Sequence, residues 1–342
     1  MTKKYAVVIC TCSRLFGARL FGAGLFAVGL FGSPAAHASC GSTVCTINTN
    51  WDEHGRSHPG WSADLRYNYS RADTLRSGSK KIDADTSADE VENLSTTNEI
   101  IAASLDYTVG DNWGVMLHLP FIKREHAHNL GPYGGGTAAG YESFHASAWG
   151  DAKIVGRYRW SLAEAEHAEV GVKFGLKLDT GKKDFVFTET GILPGEASLQ
   201  PGNGSTDLIL GVFWHQAPMA SDWSWFAQGT LQNSIRSRAT FRPGKQINMD
   251  GGTRYALTSK LNALLQLNAQ WNDADTGSAA SYTSTGAASS GGHSLALAPG
   301  VSYAISSATQ LYALLQLPLY QYVNGEQLTS KSSLSVGLNY RF

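Results

Sequence analysis

The sequence predicts an all-β fold, a transmembrane antiparallel up-and-down β-barrel of about twelve strands with short periplasmic turns and long outer loops. Three observations carry this expectation. In the last nine residues, Leu334, Val336, Leu338, Tyr340 and Phe342 alternate with Ser335, Gly337, Asn339 and Arg341. A strand sends successive side chains to opposite faces, so one face is apolar and the other small or polar. The first 38 residues have the form of an export signal. Between these ends, alternating segments recur, joined by connections that are short on one side and long on the other.

The export signal is read from Lys3, Lys4 and Arg14, an apolar core over Leu20 to Phe31, and the small-x-small site Ala36-His37-Ala38. Cleavage is expected before Ser39. Residues 39–58 then form a periplasmic lead-in, and 59–342 the barrel. Cys10 and Cys12 leave with the signal, whereas Cys40 and Cys45 stay in an exported chain and are expected to close a small disulfide loop. A lipid-modified Cys40 is the weaker alternative, because His37-Ala38-Ser39 is a poor lipoprotein box. The signal holds four basic residues and no acidic one, leaving 23 basic against 28 acidic residues and a formal charge of about −5. That balance argues against nucleic acid as a partner. No uninterrupted apolar run reaches the roughly 18 residues that a spanning helix needs. Mean hydropathy is mildly negative, which a barrel tolerates because only alternate residues face lipid.

The strands follow in order. In the first, near 60–71, Trp61, Ala63, Leu65, Tyr67 and Tyr69 oppose Ser62, Asp64, Arg66, Asn68 and Ser70. A polar stretch, 72–93, leads to strands near 95–108 and 113–123, joined by Gly110-Asp111-Asn112. A loop over 124–145 precedes strands near 147–160 and 168–179. In the second of these, Val170, Val172, Phe174, Leu176 and Leu178 oppose Gly171, Lys173, Gly175 and Lys177. Lysines two apart suit a hydrated interior and are costly against lipid. Loop 180–204 is followed by strands near 205–216 and 223–235, then loop 236–246 and strands near 247–257 and 260–271. Loop 272–291, rich in Gly, Ser, Ala and Thr, precedes strands near 293–305 and 309–320. Loop 321–328 leads to the closing strand. An open sheet would leave unpaired edges in hydrocarbon, so the last strand must pair with the first.

The inward parity collects Arg66, Lys153, Arg157, Arg159, Lys173, Lys177 and Arg254, with Asp64, Asp106, Asp151, Glu169 and Asp207 among them. Two readings stand side by side. The charges brace the wall as a hydrated network, or part of the set lines a solute path and sets its selectivity. Arg157, Arg159, Lys173 and Lys177 form the densest group, with Asp151 and Glu169 placed to neutralise it. His126, His128 and His145 offer imidazoles without the ligands to complete a metal site. Ser143, His145 and Asp151 make a triad on paper only, with no nucleophile elbow, so neither an enzyme nor a cofactor is expected. Tyr340 and Phe342 end the chain on an aromatic of the kind that the β-barrel assembly machinery reads.

Several stretches carry a family likeness: Asn112-Trp113-Gly114-Val115, Gly150-Asp151-Ala152-Lys153 with Gly156-Arg157-Tyr158, Leu199-Gln200-Pro201-Gly202-Asn203-Gly204-Ser205, and Pro318-Leu319-Tyr320-Gln321-Tyr322-Val323-Asn324-Gly325. With them the chain resembles bacterial outer-membrane barrels grouped as transporters of the phenol-degradation MetA-pathway type. The resemblance implies residence in the outer membrane of a Gram-negative bacterium and passage of small solutes, some of them aromatic. The alternatives are a structural or surface-interaction barrel with a plugged lumen, or an outer-membrane hydrolase.

Overall fold

The computed structural model describes residues 59–83, 91–130, 140–163, 168–188, 191, 195–218, 221–278 and 289–342. The signal, the lead-in, Cys40 and Cys45 lie outside the described residues. The strands are β1 (Gly60–Gly78), β2 (Lys80–Lys81), β3 (Val91–Val109), β4 (Trp113–Leu130), β5 (Gly140–Trp149), β6 (Lys153–Ala163), β7 (Ala168–Lys177), β8 (Thr206–Gln216), β9 (Trp223–Arg236), β10 (Gln246–Ala256), β11 (Leu261–Asn272), β12 (Gly292–Ala304) and β13 (Thr309–Arg341). All pair antiparallel with their neighbours, and β13 closes the ring on β1. The seam runs without interruption from Ser62 opposite Arg341 to Ser70 opposite Ser333. Two elements stand outside the wall. β2 folds back on the end of β1, and β5 pairs with the outer half of β4 while β6 pairs with its inner half.

β13 has 33 residues, which fully extended would span about 110 Å, several times the ~25 Å apolar band of such barrels. Its first half pairs with β12 and its second with β1. Gly325 has φ 59°, and Gln321 Nε2 donates to the Ser330 carbonyl at 3.0 Å. The element therefore doubles back at Asn324-Gly325. Eleven wall elements thus supply twelve staves, as they must, since a closed ring of purely antiparallel neighbours needs an even number.

The expected loop 321–328 is corrected to this tight reversal, for which Asn-Gly is the strongest short signal. The loops expected at 72–93 and 124–145 are likewise shorter, because β1, β4 and their partners run on past the apolar band. The strand expected over 147–160 is broken at Gly150-Asp151-Ala152.

The outer surface carries the exposed apolar parity, including Leu65, Ile101, Leu117, Leu210, Leu265 and Leu338. Near the short turns this surface ends in paired aromatics. Trp61 and Tyr107, Trp113 and Tyr158, and Trp223 and Tyr255 all have ring centroids 4.6 Å apart. Toward the long loops it ends in charge, with Lys123 2.9 Å from Glu99 and Lys331 3.1 Å from Asp73. An apolar belt between aromatic and charged rims is what a bilayer selects.

Candidate solute path inside the barrel

The inner parity divides into a charged side and an apolar side. Phe226, Leu264, Ala298, Tyr312 and Leu314 pack together inside the wall of β9 to β13. Gly252 and Gly300 make room for them, since a Cβ there would collide with the Phe226 ring and the Leu314 side chain. Opposite stand β3 to β8, where the cations meet their partners.

The register sets Lys153 opposite Lys177, Arg157 opposite Lys173 and Arg159 opposite Gly171, so Arg157, Arg159, Lys173 and Lys177 stand on adjacent staves, with Lys153 beside them. Carboxylates and amides interleave them. Arg157 grips Asp106 with both terminal nitrogens and reaches Thr108 Oγ1 at 2.6 Å. Arg159 lies 3.3 Å from Glu169 and also donates to the Asp111 carbonyl in the short turn. Lys173 donates to Gln228 Oε1 at 2.8 Å, and Gln228 in turn donates to Asp250 at 2.9 Å. Arg66 lies 3.4 Å from Asp64 and donates to the Tyr312 hydroxyl at 2.7 Å. Arg254 stands on the inner parity opposite Ser224 and Leu264, away from the gathered four.

Lys153 differs from the rest. Its ammonium donates to the neutral Gln232 Oε1 at 3.2 Å, and no ion pair of it is found among the described residues. Gln232 is held in turn, donating to Asp207 Oδ2 at 2.6 Å.

The break at 150–152 turns Asp151 inward, where it accepts from Lys177 Nζ at 2.8 Å, Gly181 N at 2.9 Å, Thr180 N at 3.2 Å and Asn203 N at 3.3 Å. Lys177 also reaches Asn203 Oδ1 at 2.6 Å and Ser205 Oγ at 3.0 Å. Both ends of the connection between β7 and β8 are thereby tied to one point on the wall. Gly181 and Gly202 cross there so closely that a Cβ on either would strike the other's backbone. From this anchor the connection folds into the barrel mouth. Phe187 bridges to Phe144 of β5, and Leu199 joins their cluster. Phe241 packs on Ala197, and Arg242 pairs with Thr276, so three long connections interlock.

Beneath them lies a cavity of about 200 Å³ lined by Lys153, Lys177, Gln232, Ile100, Pro120 and Ile122, with Phe241 and Pro243 also contributing. Asp275, on one of these connections, lines it, and Glu196 lies on another. Burial pushes Glu196 up to about 7, with Asp275 a lesser contributor in the same direction. Burial also pushes Asp275 upward, opposed by a hydrogen bond from Gly244 N.

The sequence set Asp151 and Glu169 against this cation group without assigning partners, and the structure pairs them with Lys177 and Arg159; the other contacts were not named from it. The anchor joins residues far apart in the chain, and only the clustering of Gly, Asn and Ser at 202–205 hinted at a built turn.

The paper triad is not assembled. Asp151 is engaged by Lys177 and three backbone amides, and neither Ser143 nor His145 is among its partners. His145 lies on the exposed parity of β5, whereas His126 faces inward and bonds Thr96 Oγ1 at 2.8 Å. Among the described residues no group of His, Cys, Asp and Glu is arranged to hold a metal ion.

No family model matches the sequence, and no curated protein matches it either. Solved structures do. The COG4313 outer membrane channel from Pseudomonas putida F1 is similar over 87% of this chain and 100% of that one, with 14% identity and a TM-score of 0.63. The NanC porin covers 82% of this chain over its whole length at 11% identity, with a TM-score of 0.46. The first of these likenesses establishes the fold as that of an outer-membrane β-barrel.

Proposed function

We propose that this protein is an outer-membrane channel of a Gram-negative bacterium that passes small solutes without covalent chemistry. The observation that carries the reading is a wall apolar outside and charged inside, enclosing a cavity lined by Lys153, whose one side-chain hydrogen bond among the described residues is to the neutral Gln232. Charged inner rings set the selectivity of such paths. Arg66, Lys153, Arg157, Arg159, Lys173, Lys177 and Arg254 are the lumen residues of this proposal, and small organic compounds, aromatic ones included, are its solutes. Residues 1–38 direct export, Cys40 and Cys45 close a disulfide in the lead-in, and Tyr340 and Phe342 serve the assembly machinery. A second reading, a structural barrel with a filled lumen, draws on the three interlocked connections at the mouth.

Planar-bilayer recording of the detergent-folded protein separates the two. The channel reading expects steady currents, with Lys153→Glu moving the reversal potential toward cation preference. Silence from protein that shows the heat-shifted gel mobility of a folded barrel overturns it in favour of the filled barrel.

A further inference from the structure

The cavity under the outer connections combines features that the charge network does not need. Lys153 has three N–H donors, of which one is used, on the Gln232 carbonyl. The other charged groups around the cavity are provided for. Lys177 is held by Asp151, Asn203 and Ser205, and Arg124 donates to Asn98 and to the carbonyls of Ser198 and Leu199. Among the carboxylates, Asp151 accepts four hydrogen bonds, Asp273 lies 3.2 Å from Lys245, and Asp275 accepts from Gly244 N. A part-buried ammonium with spare donors favours an anion, and a carboxylate accepts two such bonds at once. Beside it, Ile100, Pro120 and Ile122 present an apolar wall on β3 and β4, and Phe241 closes the space from the mouth. The volume, about 200 Å³, exceeds the roughly 150 Å³ of an engineered cavity that takes up benzene. A six-membered ring with one carboxylate fits.

We propose that this cavity binds a small organic monocarboxylate, its carboxylate on Lys153 Nζ and its apolar body against Ile100, Pro120 and Ile122. The proposal rests on the channel reading for its purpose and names the solute class. The site itself is a matter of binding and is measured without any current. Because Lys177 and Arg124 are already engaged, Lys153 is the cation with donors to offer, and a dicarboxylate would bury a second charge without a partner.

The test is calorimetric titration of the detergent-folded protein with benzoate, its neutral isostere benzamide, and acetate. Benzoate is expected to bind one per chain, with benzamide and acetate at least about tenfold weaker, since the first lacks the charge and the second the body. Lys153→Met is expected to lose at least about tenfold for benzoate, and Lys153→Arg to retain binding. Gln232→Glu keeps Lys153 but sets a carboxylate beside it, and is expected to weaken benzoate similarly. Gel mobility establishes that each variant is folded. Equal affinity for benzoate and benzamide, or folded Lys153→Met and Gln232→Glu that bind like the parent, overturns the site. Benzoate binding without current overturns the channel reading and leaves the site standing. Current without benzoate binding does the reverse.

Discussion

Lys177 Nζ lies 2.8 Å from Asp151 Oδ2, and both side chains are under a tenth exposed, although they face the lumen of a barrel. The pair does not simply neutralise the wall. It holds residues 180–181 and 203–205 to the break between β5 and β6, so the mouth connection depends on it. Removing one partner of a buried pair leaves the other uncompensated and costs about 3–5 kcal/mol. Asp151→Ala is expected to free that connection while the wall stays folded. Trypsin cleavage after Lys182 and Lys183 then quickens at least about tenfold, following the population of the open form. An unchanged cleavage rate would place the anchor elsewhere.

The mouth should respond to pH through Glu196. Its carboxyl is ordinary at 4.5 when unfolded and sits at about 7 in the folded protein. Between those values the folded state holds the extra proton, so the packing of the connections weakens as pH rises from 4.5 to about 7 and levels off beyond. Asp275 acts in the same direction. Hydrogen exchange of residues 195–204, corrected for intrinsic rates, should show protection falling across that window. Glu196→Gln should flatten the profile, and a slope of opposite sign would refute the assignment.

Tyr312 lies over Gly337 and joins Arg66 to Asp64 through its hydroxyl, at 2.7 and 2.9 Å. A side chain at 337 would push the ring off this position. Gly337→Val is expected to cost about 1–3 kcal/mol in urea unfolding from lipid, by overpacking. The cost should shrink in a Tyr312→Ala background, and a double-mutant cycle reads that coupling. Additive effects would show that the ring is not what the glycine accommodates.

Phe342 is largely exposed on the lipid side, its ring 4.9 Å from Tyr340 and its amide 3.0 Å from the Trp61 carbonyl. Deleting it removes one backbone hydrogen bond and little buried area, so the refolded barrel should lose only about 1 kcal/mol. A far larger fall in folded protein in the cellular outer membrane would assign Phe342 to assembly. Parallel losses in both settings would assign it to stability.

How much of this was legible in the sequence follows from where the period-two signal lives. Within the belt, Val172, Phe174 and Leu176 against Lys173 and Lys177 told inside from outside, because lipid and water reward opposite residues. Beyond it, at Arg71 to Asp73 or Lys123 to Ala127, the outward face carries Arg71, Asp73, Lys123 and Glu125 in place of apolar residues, while Ala72, Arg124 and His126 are buried on the other. The alternation fades there although the ladder continues. The break at Gly150-Asp151-Ala152 was hidden because its cause is the crossing of Gly181 and Gly202, far along the chain. The inner cluster of Phe226, Leu264 and Leu314 was hidden for a related reason. Apolar residues on the inner parity look like noise until several staves bring them together. The cations stand on the inner parity, where Asp151 and Glu169 meet Lys177 and Arg159, but their other partners, Gln228, Gln232 and Asn203, come from other staves and from the mouth.

The seam between β1 and β13 has a kinetic side. Most pairings in this barrel join strands that are consecutive in the chain, and the hairpin at Asn324-Gly325 needs only its own residues. Ser62 and Arg341, by contrast, bring together almost the two ends of the described chain. The entropy of closing so long a loop is lost before that ladder returns anything, which makes such contacts the slow ones. Until they form, β1 and the second leg of β13 are bare edges in a half-built sheet, open to any strand that arrives first. The rate of closure, more than the strength of any single stave, then divides chains that insert from chains that aggregate.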